Sequence, residues 1–347
     1  MSGSIFRFPR IEPVLSIALM FALTQILAVW AGLSLLEAAK SDVNVQLINV
    51  APTGNPADPL NALFFIIYIV VGAGAALFAI RFFKHKLTFR VLEVAVLLGS
   101  VSIFFFAVAY PLLGRDFTLS MGAASLLGVL FAASKFLLPS LKNPAAILSS
   151  AGVGALFGFS LSFWPALLFV GAISLYDYIA VFRTRHMLVL AQNLGSKDLA
   201  FTITAQSQED NAKEADIKKE SSRTESRPRS SISSSPSSIA DPYAPASPPV
   251  FSSAPPRPAP EKKQASAANM VERLDLGSGD LAIPAMLAVS AYSLAGLPGS
   301  IAVAVGSTIS LYVLLHFVVK NRVVLPALPP ICLGGVLALI VVLVAGA

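Results

Sequence analysis

The chain has 347 residues, of which 55% are hydrophobic and only 13% are charged. A soluble globular domain has about 25% charged residues, so this composition excludes an ordinary water-soluble enzyme and a chain that is disordered throughout. The formal net charge is +6. In a membrane protein a positive charge reflects the Lys and Arg residues of cytoplasmic loops and does not by itself indicate nucleic-acid binding, so we expect no nucleic-acid partner. The single cysteine, Cys332, excludes an intrachain disulfide and a cysteine-based zinc site.

Apolar stretches of about 20 residues, the length of a membrane-spanning helix, recur along the chain. We predict an all-α polytopic membrane protein with nine such spans. They are residues 13–36, 60–80, 91–113, 117–137, 144–161, 164–182, 278–295, 299–318 and 325–346. The fifth and sixth spans form one uncharged run, which the turn Ser162-Phe163-Trp164-Pro165 divides.

The segment between the sixth and seventh spans has a different composition. Residues 183–275 carry 13 Lys or Arg and 11 Asp or Glu, and a stretch rich in Ser and Pro runs through residues 221–260. Such a segment buries too little apolar surface to offset its conformational entropy, which predicts a mostly disordered loop. We therefore divide the chain into residues 1–182 with six spans, the flexible cytoplasmic loop 183–275, and residues 276–347 with three spans.

The placement of basic residues predicts the orientation in the membrane. With a cytoplasmic N-terminus, ten Lys and Arg residues of the tails and short loops lie inside, and only Lys40 and Arg115 lie outside. Because Lys and Arg are enriched on the cytoplasmic side, we predict a cytoplasmic N-terminus and large loop, and an external C-terminus.

Two acidic residues, Asp177 and Asp280, lie a few positions inside the sixth and seventh spans. A carboxylate at mid-membrane costs about 2.5–3.5 kcal/mol on insertion scales, so an acid retained there indicates a function. Asp177 precedes the cytoplasmic end of its span and Asp280 follows the cytoplasmic start of its own, which places both at similar depth. If the two helices are neighbours, the carboxyls can approach each other.

Two adjacent carboxyls in a low-dielectric site titrate as a coupled pair, in which one stays protonated while the other is charged. This arrangement is typical of aspartic proteases. The charged group takes a proton from water and the protonated group polarises a peptide carbonyl, which leads to cleavage of the bond. Such chemistry requires no metal and no organic cofactor, and we expect none.

The residues beside the two acids suit this chemistry. Gly277 and Gly279 lack side chains and let another backbone approach Asp280. Pro284 removes a backbone donor one turn later, which predicts a kink. Tyr176 can hydrogen-bond a carboxyl or a substrate, although a tyrosine near a membrane interface is more often an anchor.

A glycine pair in the fifth span predicts a tight helix contact. Gly154 and Gly158 form a Gly-x-x-x-Gly motif, which lets two helix backbones come close together. We expect the motif to serve packing within the bundle rather than dimerisation.

Three short motifs occur in order on the predicted spans. They are Tyr176-Asp177, Gly277-Ser278-Gly279-Asp280 and Pro326-Ala327-Leu328. With the nine spans, they resemble the presenilin and signal-peptide-peptidase superfamily of intramembrane aspartyl proteases. The orientation, short N-terminus and compact size are similar to archaeal presenilin homologues, which favours a prokaryotic cell membrane. Ser278 stands where leucine is common in presenilins.

The resemblance implies a presenilin-like bundle and an aspartic endopeptidase of the GxGD type that cleaves transmembrane segments of other proteins within the lipid bilayer. Asp177 and Asp280 would be the catalytic residues. The substrate-binding residues would be Tyr176, Gly277, Gly279, Pro326, Ala327 and Leu328. We also expect Pro329-Pro330 to delay the ninth helix, so that exposed backbone there, or in the loop entering Asp280, pairs with an unwound substrate as an added strand.

Other interpretations remain open at this point. The two acids could serve packing, although no Lys or Arg lies inside their spans. They could belong to a proton- or cation-coupled transporter or channel, because intramembrane acids also form proton relays and cation sites. A prepilin-peptidase-like enzyme also uses Gly-x-Gly-Asp, but a basic residue usually follows there, whereas Leu281-Ala282-Ile283 follow here. No His-Glu-x-x-His motif supports a zinc protease.

Overall fold

The computed structural model describes residues 11–82, 86–179, 202–205, 274–321 and 325–346. The described residues form ten α-helices, a short 3-10 turn at Pro139–Leu141 and two strands. The helices are α1 Ile11–Ser41, α2 Val43–Gln46, α3 Leu60–Phe82, α4 Lys86–Leu112, α5 Phe117–Leu137, α6 Lys142–Ser160, α7 Phe163–Ile179, α8 Ser278–Ser290, α9 Tyr292–Asn321 and α10 Leu328–Ala345. The strands are β1 Thr202–Ala205 and β2 Leu274–Gly277.

Apart from the four-residue α2, the described helices correspond in order to the nine predicted spans. By length and composition, α1, α4, α5, α9 and α10 can each cross a membrane, while α3, α7 and α8 contain shorter apolar helical stretches. The predicted multi-pass, almost wholly helical fold is therefore confirmed.

The predicted break between the fifth and sixth spans is also confirmed. Helix α6 ends at Ser160, and Leu161 adopts extended angles of φ −120° and ψ 129°. Helix α7 begins at Phe163, and Pro165 lies in its first turn, where the missing backbone N–H would have no helical partner in any case.

A second break lies inside α9, between the predicted seventh and eighth spans. Ala295 and Gly296 leave the helical conformation, and Gly296 has a φ of 60°, a value that only glycine adopts at little cost. Pro298 follows at the start of the next helical segment. The break allows α8 and the long part of α9 to run as separate neighbouring helices.

The two strands form an antiparallel pair that the sequence had not led us to expect. Thr202 pairs with Gly277 and Ala205 with Leu274. Strand β1 packs against α1 and α6, and β2 continues directly into α8. The pair therefore anchors the chain immediately before Asp280. Apart from β1 and the first two residues of β2, the predicted disordered loop 183–275 lies outside the described residues.

Helix α6 lies at the centre of the bundle and packs against α1, α4 and α8. Its contact with α8 depends on the two glycines of the Gly-x-x-x-Gly motif. A Cβ added at Gly154 would lie 2.7 Å from the Cβ of Ala285, and one at Gly158 would lie 2.4 Å from the Cβ of Val289. Both distances are shorter than any ordinary contact, so the predicted tight packing within the bundle is confirmed.

Helices α9 and α10 approach each other in the same way. A Cβ at Gly306 would lie 2.5 Å from both the Cβ of Ala338 and the carbonyl oxygen of Gly334. The hydroxyl of Ser310 on α9 also donates a hydrogen bond of 2.6 Å to the carbonyl of Pro330. The bond to Pro330 ties the first turn of α10 to α9, and the Gly306 contact holds the two helices close together further along α10.

Candidate active site

The two intramembrane aspartates come together where α7 and α8 pack against each other. Asp177 lies near the C-terminal end of α7, and Asp280 lies in the first turn of α8. Both side chains are partly buried, and they are close enough for the charge of Asp177 to act on Asp280. The proximity expected of neighbouring helices is therefore present.

Asp280 occupies a helix-capping position. Gly277 is the N-cap of α8, so Asp280 is the third helical residue, and its carboxyl interacts with the backbone N–H of Gly277. An acidic side chain that reaches back from this position to the N-cap N–H is one half of a capping box. The spacing of Gly-x-Gly-Asp therefore sets the orientation of the acid as well as the start of the helix.

Neither glycine of this motif is required by the backbone itself. Gly277 has a φ of −68°, which any residue can adopt, and an added Cβ would first meet Asp280 Oδ2 at 3.4 Å, an ordinary contact distance. Gly279 is exposed, and a Cβ there would meet no atom of the described residues within 4 Å. Among the described residues, the missing side chain of Gly279 thus leaves space next to Asp280.

The first turn of α10 provides a backbone donor for Asp177. Leu328 begins this helix, and its backbone N–H interacts with the Asp177 carboxyl. Pro329 and Pro330 occupy the following positions of the same turn and have no N–H groups. Leu328 is therefore the one residue among the first three of α10 that can offer a backbone N–H to the acid.

This arrangement corrects one expectation. Pro329-Pro330 do not delay the helix, because α10 already begins at Leu328. The reason is that the first turn of a helix makes no use of its N–H groups, so proline is tolerated there. Pro326 is buried and precedes the helix, Ala327 is its N-cap, and Leu328 is 6% exposed. Leu328 of the Pro-Ala-Leu motif thus lies beside Asp177.

Tyr176 and Cys332 lie on different sides of this site. The side chain of Tyr176 is 64% exposed and faces away from the described bundle. It is available to lipid or to a substrate, but it does not bond Asp177 in this structure. Cys332, one turn beyond Leu328 on α10, is buried and lies close enough to interact electrostatically with Asp280.

Two further polar side chains, neither of them predicted from the sequence, reach the motif that carries Asp280. Gln25 of α1 donates a hydrogen bond of 3.3 Å from its Nε2 to the carbonyl of Leu281. Ser150 of α6 donates a hydrogen bond of 3.1 Å to the carbonyl of Ser278. Gln25 could have been noticed as an amide side chain in the middle of the first apolar span, but its partner is 256 residues away.

Comparison with known proteins agrees with this geometry. The sequence model of a family described as signal-peptide peptidase, presenilin aspartyl protease matches residues 18–241, which is more than half of the chain. The chain belongs to this family of aspartyl proteases. Since its apolar helices make it a multi-pass membrane protein, it is an intramembrane aspartyl protease. The matched region contains Tyr176-Asp177 and ends before Asp280.

Solved structures are similar to this chain over nearly its whole length. One is a presenilin family intramembrane aspartate protease in space group C222, with 23% identity and a TM-score of 0.59, and the match covers 96% of this chain and 99% of that chain. Another, in space group P2, has 22% identity and a TM-score of 0.58, with 95% and 97% covered. Both share the fold. A search of the curated proteins gave no match.

Proposed function

We propose that Asp177 and Asp280 are the catalytic pair of this intramembrane protease, and that it cleaves transmembrane segments of other membrane proteins. The observation that supports this most is the meeting of the two acids at the packed ends of α7 and α8, within reach of each other's charge. Leu328, the last residue of Pro326-Ala327-Leu328 and the first of α10, contributes a backbone N–H to Asp177 at the same site.

The proposed reaction uses the two carboxyls in opposite protonation states. The ionised carboxylate takes a proton from a water molecule as the water oxygen attacks the carbonyl carbon of the scissile peptide. The protonated carboxyl donates its proton to the carbonyl oxygen, which gives a neutral tetrahedral diol. The C–N bond then breaks as the first carboxyl passes the proton to the leaving nitrogen and the second recovers a proton from the diol.

A transmembrane helix must unwind before it can react, because its carbonyls are held in internal hydrogen bonds. An unwound segment needs new backbone partners inside the protein, since unsatisfied backbone groups are costly in the bilayer. Strand β2 can provide them: among the described residues it pairs with β1 alone, which leaves its other edge unpaired, and it leads directly to Asp280. We propose that the substrate adds a strand there, with Gly279 leaving room for its backbone.

We further propose that the N-terminus and the segment between α7 and α8 are cytoplasmic and the C-terminus is external. The bias of Lys and Arg toward one set of loops supports this orientation. It places Asp177 and Asp280 in the cytoplasmic half of the membrane.

The direct test is cleavage of a single-span membrane protein by the purified chain in liposomes, comparing wild type with Asp177→Asn and Asp280→Asn. Each change keeps the size of the side chain and removes the titratable carboxyl. We expect both variants to be inactive, with thermal unfolding close to that of the wild type. Asp58→Asn is a matched control, because Asp58 accepts a hydrogen bond from the backbone N–H of Leu60 and asparagine can do the same.

Retained cleavage in either active-site variant would refute the catalytic pair. Binding of a hydroxyl-bearing transition-state analogue adds a second measurement, which we expect to weaken strongly in Asp280→Asn. Ion flux through the liposomes that depends on either acid, without cleavage, would instead favour a transporter.

A further inference from the structure

Helix α8 lacks one of its helical hydrogen bonds in the turn that carries Asp280. In a regular helix the carbonyl of residue 280 would accept a hydrogen bond from the N–H of residue 284, but Pro284 has none. The turn is also the first of its helix and follows directly on β2. Asp280 therefore sits in a segment whose own hydrogen bonds hold it less firmly than a helix interior would.

Two side chains from other helices bind the backbone on either side of this acid. Ser150 of α6 donates to the carbonyl of Ser278, two residues before Asp280. Gln25 of α1 donates to the carbonyl of Leu281, one residue after it. Both donors are buried, at 2% and 1% exposed. We refer to Gln25 and Ser150 together as the carbonyl brace.

Burying the amide side chain of Gln25 is energetically unfavourable, which argues against a role in packing alone. Its Nε2 must face Leu281, because a carbonyl can only accept a hydrogen bond. Its Oε1 is buried and has no hydrogen-bond partner among the described residues. A half-satisfied amide inside a membrane bundle is unfavourable compared with an apolar residue of the same size. Among the described residues, the hydrogen bond to the Leu281 carbonyl is the favourable interaction that explains a glutamine at this position.

We propose that Gln25 and Ser150 are positioning residues for the catalytic reaction, which hold the backbone around Asp280 so that its carboxyl stays aligned with Asp177. This inference rests on the proposed catalytic role of Asp280. The brace acts on backbone atoms, so it is independent of which side chain stands at residue 278. It acts through the position of Asp280 and does not require either side chain to touch the substrate.

The chain provides a matched control for each member of the brace. Thr24 precedes Gln25 and is equally buried, but its hydroxyl donates to Met20 of its own helix. Ser149 precedes Ser150 and donates to Ala146 of its own helix. Thr24→Val and Ser149→Ala therefore remove a buried polar group from the same helical turns without affecting the Asp280 segment.

The experiment measures kcat and KM of the full-length protein in liposomes on a single-span substrate, for Gln25→Met, Ser150→Ala, the double variant and the two controls. A misplacement of about 1 Å can cost about 100-fold in rate, and we expect each single loss to shift Asp280 by less. We expect kcat to fall about tenfold in each single variant and about 100-fold in the double variant, with KM within about twofold, because the substrate contacts are unchanged. The controls should keep kcat within about threefold.

Unchanged kcat in both brace variants would overturn the proposal, and so would an equal loss of kcat in the controls, which would indicate general destabilisation. Because the two members lie on different helices, Ser150→Ala tests the brace even if Gln25→Met yields little folded protein. Asp280→Asn is measured alongside. Activity in that variant would refute the catalytic pair itself, whereas an inactive Asp280→Asn with fully active brace variants would refute only the brace.

Discussion

The contact between α6 and α8 gives a quantitative prediction for Gly154→Ala. The new Cβ would lie 2.7 Å from the Cβ of Ala285 and 3.1 Å from the carbonyl oxygen of Ala282. Carbon atoms in contact are normally about 3.5–4.0 Å apart, so the two helices must separate by about 1 Å. Ala282 is only two residues beyond Asp280, and the displacement therefore reaches the acid.

Two energetic terms oppose each other in this variant. Overpacking a tight contact costs about 1–3 kcal/mol, whereas alanine is favoured over glycine in a helix by about 0.5–1 kcal/mol. The expected net loss of stability is therefore about 0–2.5 kcal/mol. Activity should suffer more, because a misplacement of about 1 Å in a reacting group can lower the rate about 100-fold. Thermal unfolding and the cleavage rate of a single-span substrate in liposomes measure the two effects separately.

A control and a compensating change make the test specific. Gly122→Ala lies within α5, where the new Cβ would meet no atom within 4 Å in the part of the chain that the structure describes. It should therefore gain about 0.5–1 kcal/mol and keep full activity. Replacing the facing Ala285 by glycine removes the closest atom, so Gly154→Ala/Ala285→Gly should recover part of the lost activity. A Gly154→Ala variant as active as the wild type would show that the position of α8 does not depend on this contact.

Three further predictions concern other parts of the chain. Lys135 and Glu93 form an ion pair whose side chains are 11% and 7% exposed; Lys135→Met should cost about 3–5 kcal/mol in thermal unfolding, and the double change to methionine should recover most of it. Deleting residues 206–265 should leave cleavage largely intact, whereas a deletion that also removes β1, residues 202–205, should lower it because β2 loses its partner. Chelators such as EDTA should not change the cleavage rate; inhibition would indicate a metal-dependent step instead.

The parts of this fold that depend on local composition were predictable from the sequence. Each long helix can be recognised from an apolar stretch of about 20 residues, because that length is needed to cross the bilayer. The candidate acids could be identified by elimination, since Asp177 and Asp280 are acids inside apolar spans. Gly154 and Gly158 could be assigned to close packing because small residues at that spacing have few other uses in a membrane helix.

The features that depend on distant partners were not predictable. The pairing of β1 with β2 joins short segments separated by the long loop, and neither segment has a strong strand pattern. The prediction that Pro329-Pro330 delay α10 was wrong, because proline is found both after the end of a helix and in its first turn. The bonds from Gln25 and Ser150 could not be inferred at all, because their acceptors are backbone carbonyls, which carry no signature in the sequence.

These unpredicted contacts have a common physical origin. The backbone changes from strand β2 to helix α8 just before Asp280, and the carbonyl of Asp280 lacks its helical partner because residue 284 is proline. In the bilayer, irregular backbone is tolerated only where neighbouring protein satisfies its polar groups. Around Asp280 the capping interaction with Gly277, the strand pair and the carbonyl brace perform this role. On our proposal that the same groups also position Asp280 for catalysis, changes to them should lower the cleavage rate more than they lower the stability of the fold.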